Sequence, residues 1–127
     1  MSKQRINTKY KGLSLFSGAG GLDLGFHKTG HVETSCRYEF NEIFSQTLRL
    51  NNRKLADSPD SQNIPVIDQE DLLEPTVIDE GIKRWANVDI IYGGPPCQSF
   101  SIIGKAVGGK KVGVNDPRGA LIYSFLN

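Results

Sequence analysis

Leu13-Ser14-Leu15-Phe16 runs directly into Ser17-Gly18-Ala19-Gly20-Gly21. A short apolar run that ends in closely spaced glycines is a strand entering a tight turn, because glycine supplies the backbone freedom such a turn needs. The arrangement returns later in the chain. Val88-Asp89-Ile90-Ile91-Tyr92 is β-branched and apolar, the clearest strand of all, and it ends in Gly93-Gly94-Pro95-Pro96-Cys97. Helical and extended segments alternate between the two. That alternation predicts an α/β fold on a mostly parallel sheet. In such sheets ligands bind outside the carboxyl ends of the strands. Both glycine motifs fall at strand ends, so both should face one crevice.

The intervening segments read as follows. Leu22 to Lys28 is a helix with Leu22, Leu24 and Phe26 apolar, stopped by Gly30. His31 to Tyr38 alternates well enough for a second strand. Asn41 can cap a helix from Glu42 to about Asn51, with Ile43, Phe44, Thr47 and Leu48 on one face. Residues 52–62 are polar and contain a proline, which predicts a surface loop. Ile64 to Asp68 is a short strand or extended piece, and Pro75 to Trp85 is helical. Residues 98–115 are glycine-rich with few large apolar groups, as in a long mobile loop. Asp116-Pro117 then resembles a helix cap with proline in the first turn, and Gly119 to Asn127 begins a helix. Residues 1–11 form a short basic lead-in, flexible or extended.

Composition excludes several classes. The chain has 127 residues and a net charge of +1, enough for one core and no more. It holds no apolar run long enough for a membrane span. Met1-Ser2-Lys3-Gln4-Arg5 is polar and unlike a secretory signal, which predicts a cytoplasmic location. Cys36 and Cys97 lie far apart, so neither a disulfide nor a zinc site is expected, and no metal is assigned. Charge is unevenly spread: residues 57–80 are nearly all acidic among the charged groups, while Lys105, Lys110 and Lys111 make the segment after the cysteine motif basic. Taken alone, three lysines are most simply a solvated loop.

Two motifs carry chemistry. After the glycine turn, Glu39 stands at the end of the second strand, where a carboxylate can accept from both hydroxyls of a ribose. That spacing points to an adenosine-containing cofactor, with a purely structural turn as the plain alternative. The glycine spacing departs from the dinucleotide pattern, which argues against NAD. The second motif is Cys97. A free cysteine is usually a small buried hydrophobe, and Cys36, inside a strand, fits that reading. Cys97 follows two prolines that stiffen the backbone and two glycines that allow close approach, with Gln98, Ser99 and Ser101 beside it. A cation or helix start nearby would raise its thiolate fraction and make it a nucleophile.

Phe16-Ser17-Gly18-Ala19-Gly20-Gly21, Tyr38-Glu39-Phe40-Asn41, Gly93 through Ser101 (Gly-Gly-Pro-Pro-Cys-Gln-Ser-Phe-Ser) and Asp116-Pro117-Arg118-Gly119-Ala120-Leu121 resemble, in order, the N-terminal motifs of the cytosine-5 DNA methyltransferases. The resemblance covers most of the chain from Leu13 to Leu126. It implies a Rossmann-like fold dependent on S-adenosyl-L-methionine, of which residues 12–127 are the N-terminal half, with residues 97–115 as the catalytic loop. It implies that Phe16, Gly18, Gly20, Gly21 and Leu22 line the cofactor, that Glu39 takes the ribose hydroxyls, and that Phe40 stacks on the adenine. Asp71-Leu72 resembles the pair that reads the adenine amino group, although Asp68 can be aligned in its place. Pro96 and Leu121 complete the pocket by the same resemblance. Cys97 becomes the catalytic nucleophile, adding to C6 of a cytosine flipped out of double-stranded DNA. Gln98, Ser99, Ser101, Lys105, Lys110, Lys111 and Arg118 become candidate DNA contacts, and the setting a nucleoid-associated restriction-modification enzyme.

The family's Glu-Asn-Val motif, its Gln-x-Arg-x-Arg strand and its target-recognition region do not occur in these residues. A fragment of a longer enzyme is the expected explanation, with a split-enzyme subunit completed by a separate C-terminal chain, or a truncated remnant, as the others. The chain alone is then expected to be inactive. Two other functions stay open: an RNA (tRNA) cytosine-5 methyltransferase, and a non-catalytic cofactor-binding module.

Overall fold

A computed structural model describes residues 9–57 and 63–96. Expectations for the lead-in before residue 9, the loop at 98–115 and the helix after Asp116 lie outside the described residues. The elements are β1 (Tyr10–Leu15), α1 (Gly21–Lys28), β2 (Val32–Tyr38), α2 (Glu42–Ala56), β3 (Val66–Asp68), α3 (Pro75–Arg84) and β4 (Ile90–Gly93). The strands form one parallel sheet in the order β3-β2-β1-β4. The chain therefore winds outward from β1 to β3, then crosses back to add β4 on the other side of β1. A switch of this kind opens a crevice at the carboxyl ends of the strands.

Each element has a local cause. Gly30, at φ 72°, stops α1 in a conformation that side chains resist. Asn41 caps α2, its Oδ1 accepting from the amides of Ile43 (3.0 Å) and Phe44 (3.2 Å). Pro75 opens α3 in its first turn, where a missing N–H costs nothing. The two largest shifts from the sequence expectation are at the start of β1 and the end of α2. Tyr10 and Lys11 belong to β1 rather than to a flexible lead-in, because the Lys11 amide donates to Asp89 Oδ2 (2.7 Å) and its carbonyl accepts from the Asp89 amide (2.8 Å). Helix α2 runs on to Ala56 through part of the expected loop. Asn52 anchors that extension by donating to the Pro65 carbonyl at 2.7 Å.

A bulge decides which side chains face which way. Gly12 pairs with Thr34, but Leu13 pairs with Cys36, so β2 carries one extra residue, Ser35. Because side chains alternate with period two, an extra residue exchanges the faces of everything beyond it. Val32 and Thr34 thus share a face with Arg37, while Cys36 and Tyr38 turn to the opposite one. On that opposite face Leu13, Leu15, Cys36, Tyr38 and Leu72 form the apolar core, with Val77, Trp85 and Val88 packed against it. Helix α3 covers it: Trp85 Nε1 donates to Tyr38 Oη at 3.1 Å.

Helices α1 and α2 cover the other face, and here the sequence expectation needs correction. Leu22 and Leu24 are 50% and 53% exposed, and the buried residue of α1 is Asp23. Helix α2 buries Ser45 and Leu48 and leaves Ile43 and Phe44 outside. The apolar labels at 22 and 24 fall on neither of the positions that a helix turns inward together with 23. Among the described residues, no helix is long and apolar enough to cross a membrane.

Candidate functional site

A cleft of about 420 Å³ opens at the carboxyl ends of β1 and β2, within the range of small-molecule sites. Strand β1 ends at Leu15, and the next residue, Phe16, sits at φ 53°, a left-handed conformation that a bulky side chain adopts only where its surroundings enforce it. The chain then turns through Gly18 (φ 56°) and Gly20 (φ 87°) into α1. Gly20 has a packing reason as well: a Cβ there would lie 2.9 Å from Leu48 Cδ2. A Cβ at Gly18 would meet nothing within 4 Å, so that part of the turn presents bare backbone to open space.

Glu39 joins the turn to the end of β2. Its Oε2 accepts from the Gly18 amide at 2.6 Å and its Oε1 from the Asn41 amide at 2.8 Å. A carboxylate has about four acceptor positions, so each oxygen keeps one for a ligand hydroxyl. Phe40 stands 65% exposed at the rim. Asp71, Leu72 and Leu73 also line the cleft, as do Gly94 and Pro96, which follow β4 in the chain. Asp71 is set by its own turn, Oδ1 accepting from the Leu73 amide at 2.9 Å.

The structure thus brings together Phe16, Gly18, Glu39, Phe40, Asp71, Leu72 and Pro96. It separates the two candidate aspartates. Asp71 lines the cleft, whereas Asp68 accepts from Arg84 at 3.4 Å and from the Cys36 thiol at 3.6 Å. Gly20, Gly21 and Leu22 do not line the cleft; they make the passage into α1. Cys97, Gln98, Ser99, Ser101, Lys105, Lys110, Lys111, Arg118 and Leu121 lie outside the described residues. Cys97 is the next residue in the chain after Pro96. Asn41, Phe44, Glu70 and Leu73 also line the cleft and were not singled out from sequence. In the sequence Asn41 has a sufficient explanation as a helix cap, and Phe44 reads as one of four residues on a single helix face.

Burial shifts three titratable groups. Desolvation pushes the Cys36 thiol far up, with the Asp68 carboxylate reinforcing the shift, so this cysteine stays a neutral, packed thiol. Desolvation also raises the Tyr38 and Tyr92 phenols to about 12.

Behind the turn lies a buried polar network that the sequence did not announce. Asp23 is fully buried. Its Oδ1 accepts from Arg37 Nε (3.0 Å) and Tyr92 Oη (3.2 Å), and its Oδ2 from Ser14 Oγ (3.1 Å). Thr34 and Tyr92 hydroxyls lie 2.6 Å apart, and Arg37 also donates to Asn52 Oδ1 at 3.1 Å. The one available signal was the pair of opposite charges at positions 23 and 37 in otherwise core-forming segments.

The C-5 cytosine-specific DNA methylase family model matches residues 10–127. The chain is 40% identical, over 90% of its length, to the Type II methyltransferase M.AquIA of Picosynechococcus. It is 34% identical over 97% of its length to the Type II methyltransferase M1.ScrFI of Lactococcus lactis. It is 36% identical over 94% of its length to the DNA (cytosine-5-)-methyltransferase M.ApeKI of Aeropyrum pernix. The matches span 41%, 26% and 26% of those relatives' own lengths. The motifs, the switch-point cleft and these matches agree, and the chain belongs to the C-5 cytosine-specific DNA methylase family.

Proposed function

We propose that this chain is the cofactor-binding and nucleophile-bearing part of a DNA (cytosine-5)-methyltransferase. The observation that carries the reading is the cleft, where a ribose-competent carboxylate, Glu39, stands between a glycine turn and an exposed aromatic rim, and whose lining includes Pro96, the residue that precedes Cys97 in sequence. The residues fit S-adenosyl-L-methionine: Phe16, Phe40, Phe44 and Leu72 offer apolar surface for adenine, and Glu39 has acceptor positions for ribose hydroxyls. Asp71 can accept from an exocyclic amino group. When bound, the cofactor supplies an electrophilic methyl group on a sulfonium.

Cys97 would do the covalent work. Cytosine C5 is a poor nucleophile. A Cys97 thiolate that forms a bond to C6 turns C5 into an enamine-like carbon able to take the methyl group. Loss of the C5 proton to a base then restores the C5–C6 double bond as the Cys97 sulfur leaves. The products are 5-methylcytosine, S-adenosyl-L-homocysteine and a proton, with the thiolate regenerated. The target base must leave the stack, at a cost of a few kcal/mol. Lys105, Lys110, Lys111 and Arg118 are placed in this reading against phosphates, and Gln98, Ser99 and Ser101 beside the flipped base. Recognition of a DNA sequence belongs to a further part of the enzyme, on the same chain or a separate one. In this reading the enzyme acts in the cytoplasm, at the nucleoid, and the Type II methyltransferase names of its relatives support a restriction-modification role.

The test is adduct formation. A duplex carrying 5-fluorocytosine at the target, incubated with the intact protein and S-adenosyl-L-methionine, should yield a covalent complex that Cys97→Ser abolishes. A complex that survives Cys97→Ser would overturn the assignment. Running transfer RNA in parallel separates DNA from RNA methylation, and normal cofactor binding without any adduct would mark a binding module instead.

A further inference from the structure

We propose that Asp23 is a positioning residue for the cofactor: through Ser14 and Ser17 its carboxylate holds the turn carrying Phe16 and Gly18 in the shape the cleft requires. This rests on the cofactor reading above. Asp23 itself touches no cleft residue, and its reach is set by proton direction. A carboxylate only accepts. Ser14 Oγ lies 3.1 Å from Asp23 Oδ2 and has one proton to give, so it donates there. Its other close neighbour is Ser17 Oγ at 2.7 Å, and with its proton committed, Ser14 can only accept from it. Ser17 therefore donates toward β1, held from the other side by its amide on the Tyr38 carbonyl at 3.0 Å.

That double hold falls between the two strained or unusual points of the turn. Phe16, at φ 53°, precedes Ser17, and Gly18, at φ 56°, follows it and donates to Glu39. A left-handed phenylalanine persists only where neighbouring contacts over-determine it. The apolar core supplies one of those contacts, with Phe16 packed against it; the Ser14–Asp23 link supplies a second, from the opposite face of the sheet. A buried ion pair such as Asp23 with Arg37 is poor evidence for added stability, and a defined geometry is the better-attested gain.

The experiment measures S-adenosyl-L-homocysteine binding to the intact protein by calorimetry, below the unfolding transition. Ser14→Ala cuts the link while leaving Asp23 paired with Arg37, and Ser17→Ala cuts it at the turn. Each should weaken binding by about tenfold, the upper scale of one lost hydrogen bond between neutral groups and the lower scale of one to a charged group. The double variant should be no weaker than the worse single one, since both remove the same link. In methyl transfer the KM for the cofactor should rise by a similar factor, with the KM for DNA unmoved. Singles that lower the melting temperature yet bind normally, or losses that multiply in the double variant, would reduce Asp23 to a structural role and overturn the inference. Failure of the unsubstituted protein to bind would instead overturn the cofactor reading, and the inference with it.

Discussion

The two faces of the sheet hold the molecule together by different means. Under α3, the face formed by Leu13, Leu15, Cys36, Tyr38 and Leu72 is apolar. Under α1 and α2, the face is organised around Asp23, Arg37, Ser14, Thr34 and Tyr92. Burial of apolar surface is non-directional, so the first face resists unfolding but fixes the orientation of the cleft's polar groups less tightly. Hydrogen bonds to a carboxylate have direction, and the second face spends its polar groups on the strand ends and the turn. The cleft lies where the two meet, and Leu72 serves both, packed in the core and lining the site.

The sharpest way to break that contrast is Asp23→Ala. It leaves the Arg37 guanidinium buried without its carboxylate, which should cost about 3–5 kcal/mol in denaturant unfolding. A loss below about 1 kcal/mol would show that water or Asn52 replaces the partner, and that the polar face is not rigid. Leu13→Ala is the matching deletion on the apolar face, expected to cost about 2–4 kcal/mol. The faces should then part company: Leu13→Ala leaves cofactor affinity unchanged in the molecules that remain folded, whereas disturbance of the polar face does not.

A finer comparison uses one tyrosine from each face. Tyr92 donates to Asp23 and is bonded to Thr34, while Tyr38 accepts from Trp85. Tyr92→Phe strips two partners, one of them charged, and should cost about 2 kcal/mol; Tyr38→Phe should cost about 1 kcal/mol. The same pair sets an alkaline limit. Burial raises both phenols from 10.0 to about 12, so the folded state favours their protonated forms. Their contribution to stability is complete below pH 10 and is lost as pH rises through about 12. Unfolding free energy measured across that window should fall, and each Tyr→Phe variant should flatten the fall. An unchanged slope in both would disconnect the phenols from it.

Much of the site was legible because it is local. The glycines at 18 and 20 sit at positive φ, and Asn41 caps α2 through its own next residues. The chemistry of such features reaches only a few positions along the chain. Glu39 was legible by its spacing, although its grip on the Gly18 and Asn41 amides was not. The choice between Asp71 and Asp68 stayed open for the same reason. Both are acidic residues near a strand end, and only Arg84 and Cys36, brought over by α3 and β2, show that Asp68 is held by other elements while Asp71 lines the cleft.

The amino-acid order by itself determined the kind of sheet, the turn after β1, the cap of α2 and the motifs of the family, all written in short-range pattern. The tertiary structure alone decided the faces. The alternation of β2 reads smoothly through Ser35, yet the extra residue in its pairing with β1 exchanges Arg37 and Cys36 between polar and apolar surroundings. That exchange draws Asp23 inward on a helix whose leucines look like the obvious core. A bulge is a property of two strands in register, so it exists only once β1 and β2 have met.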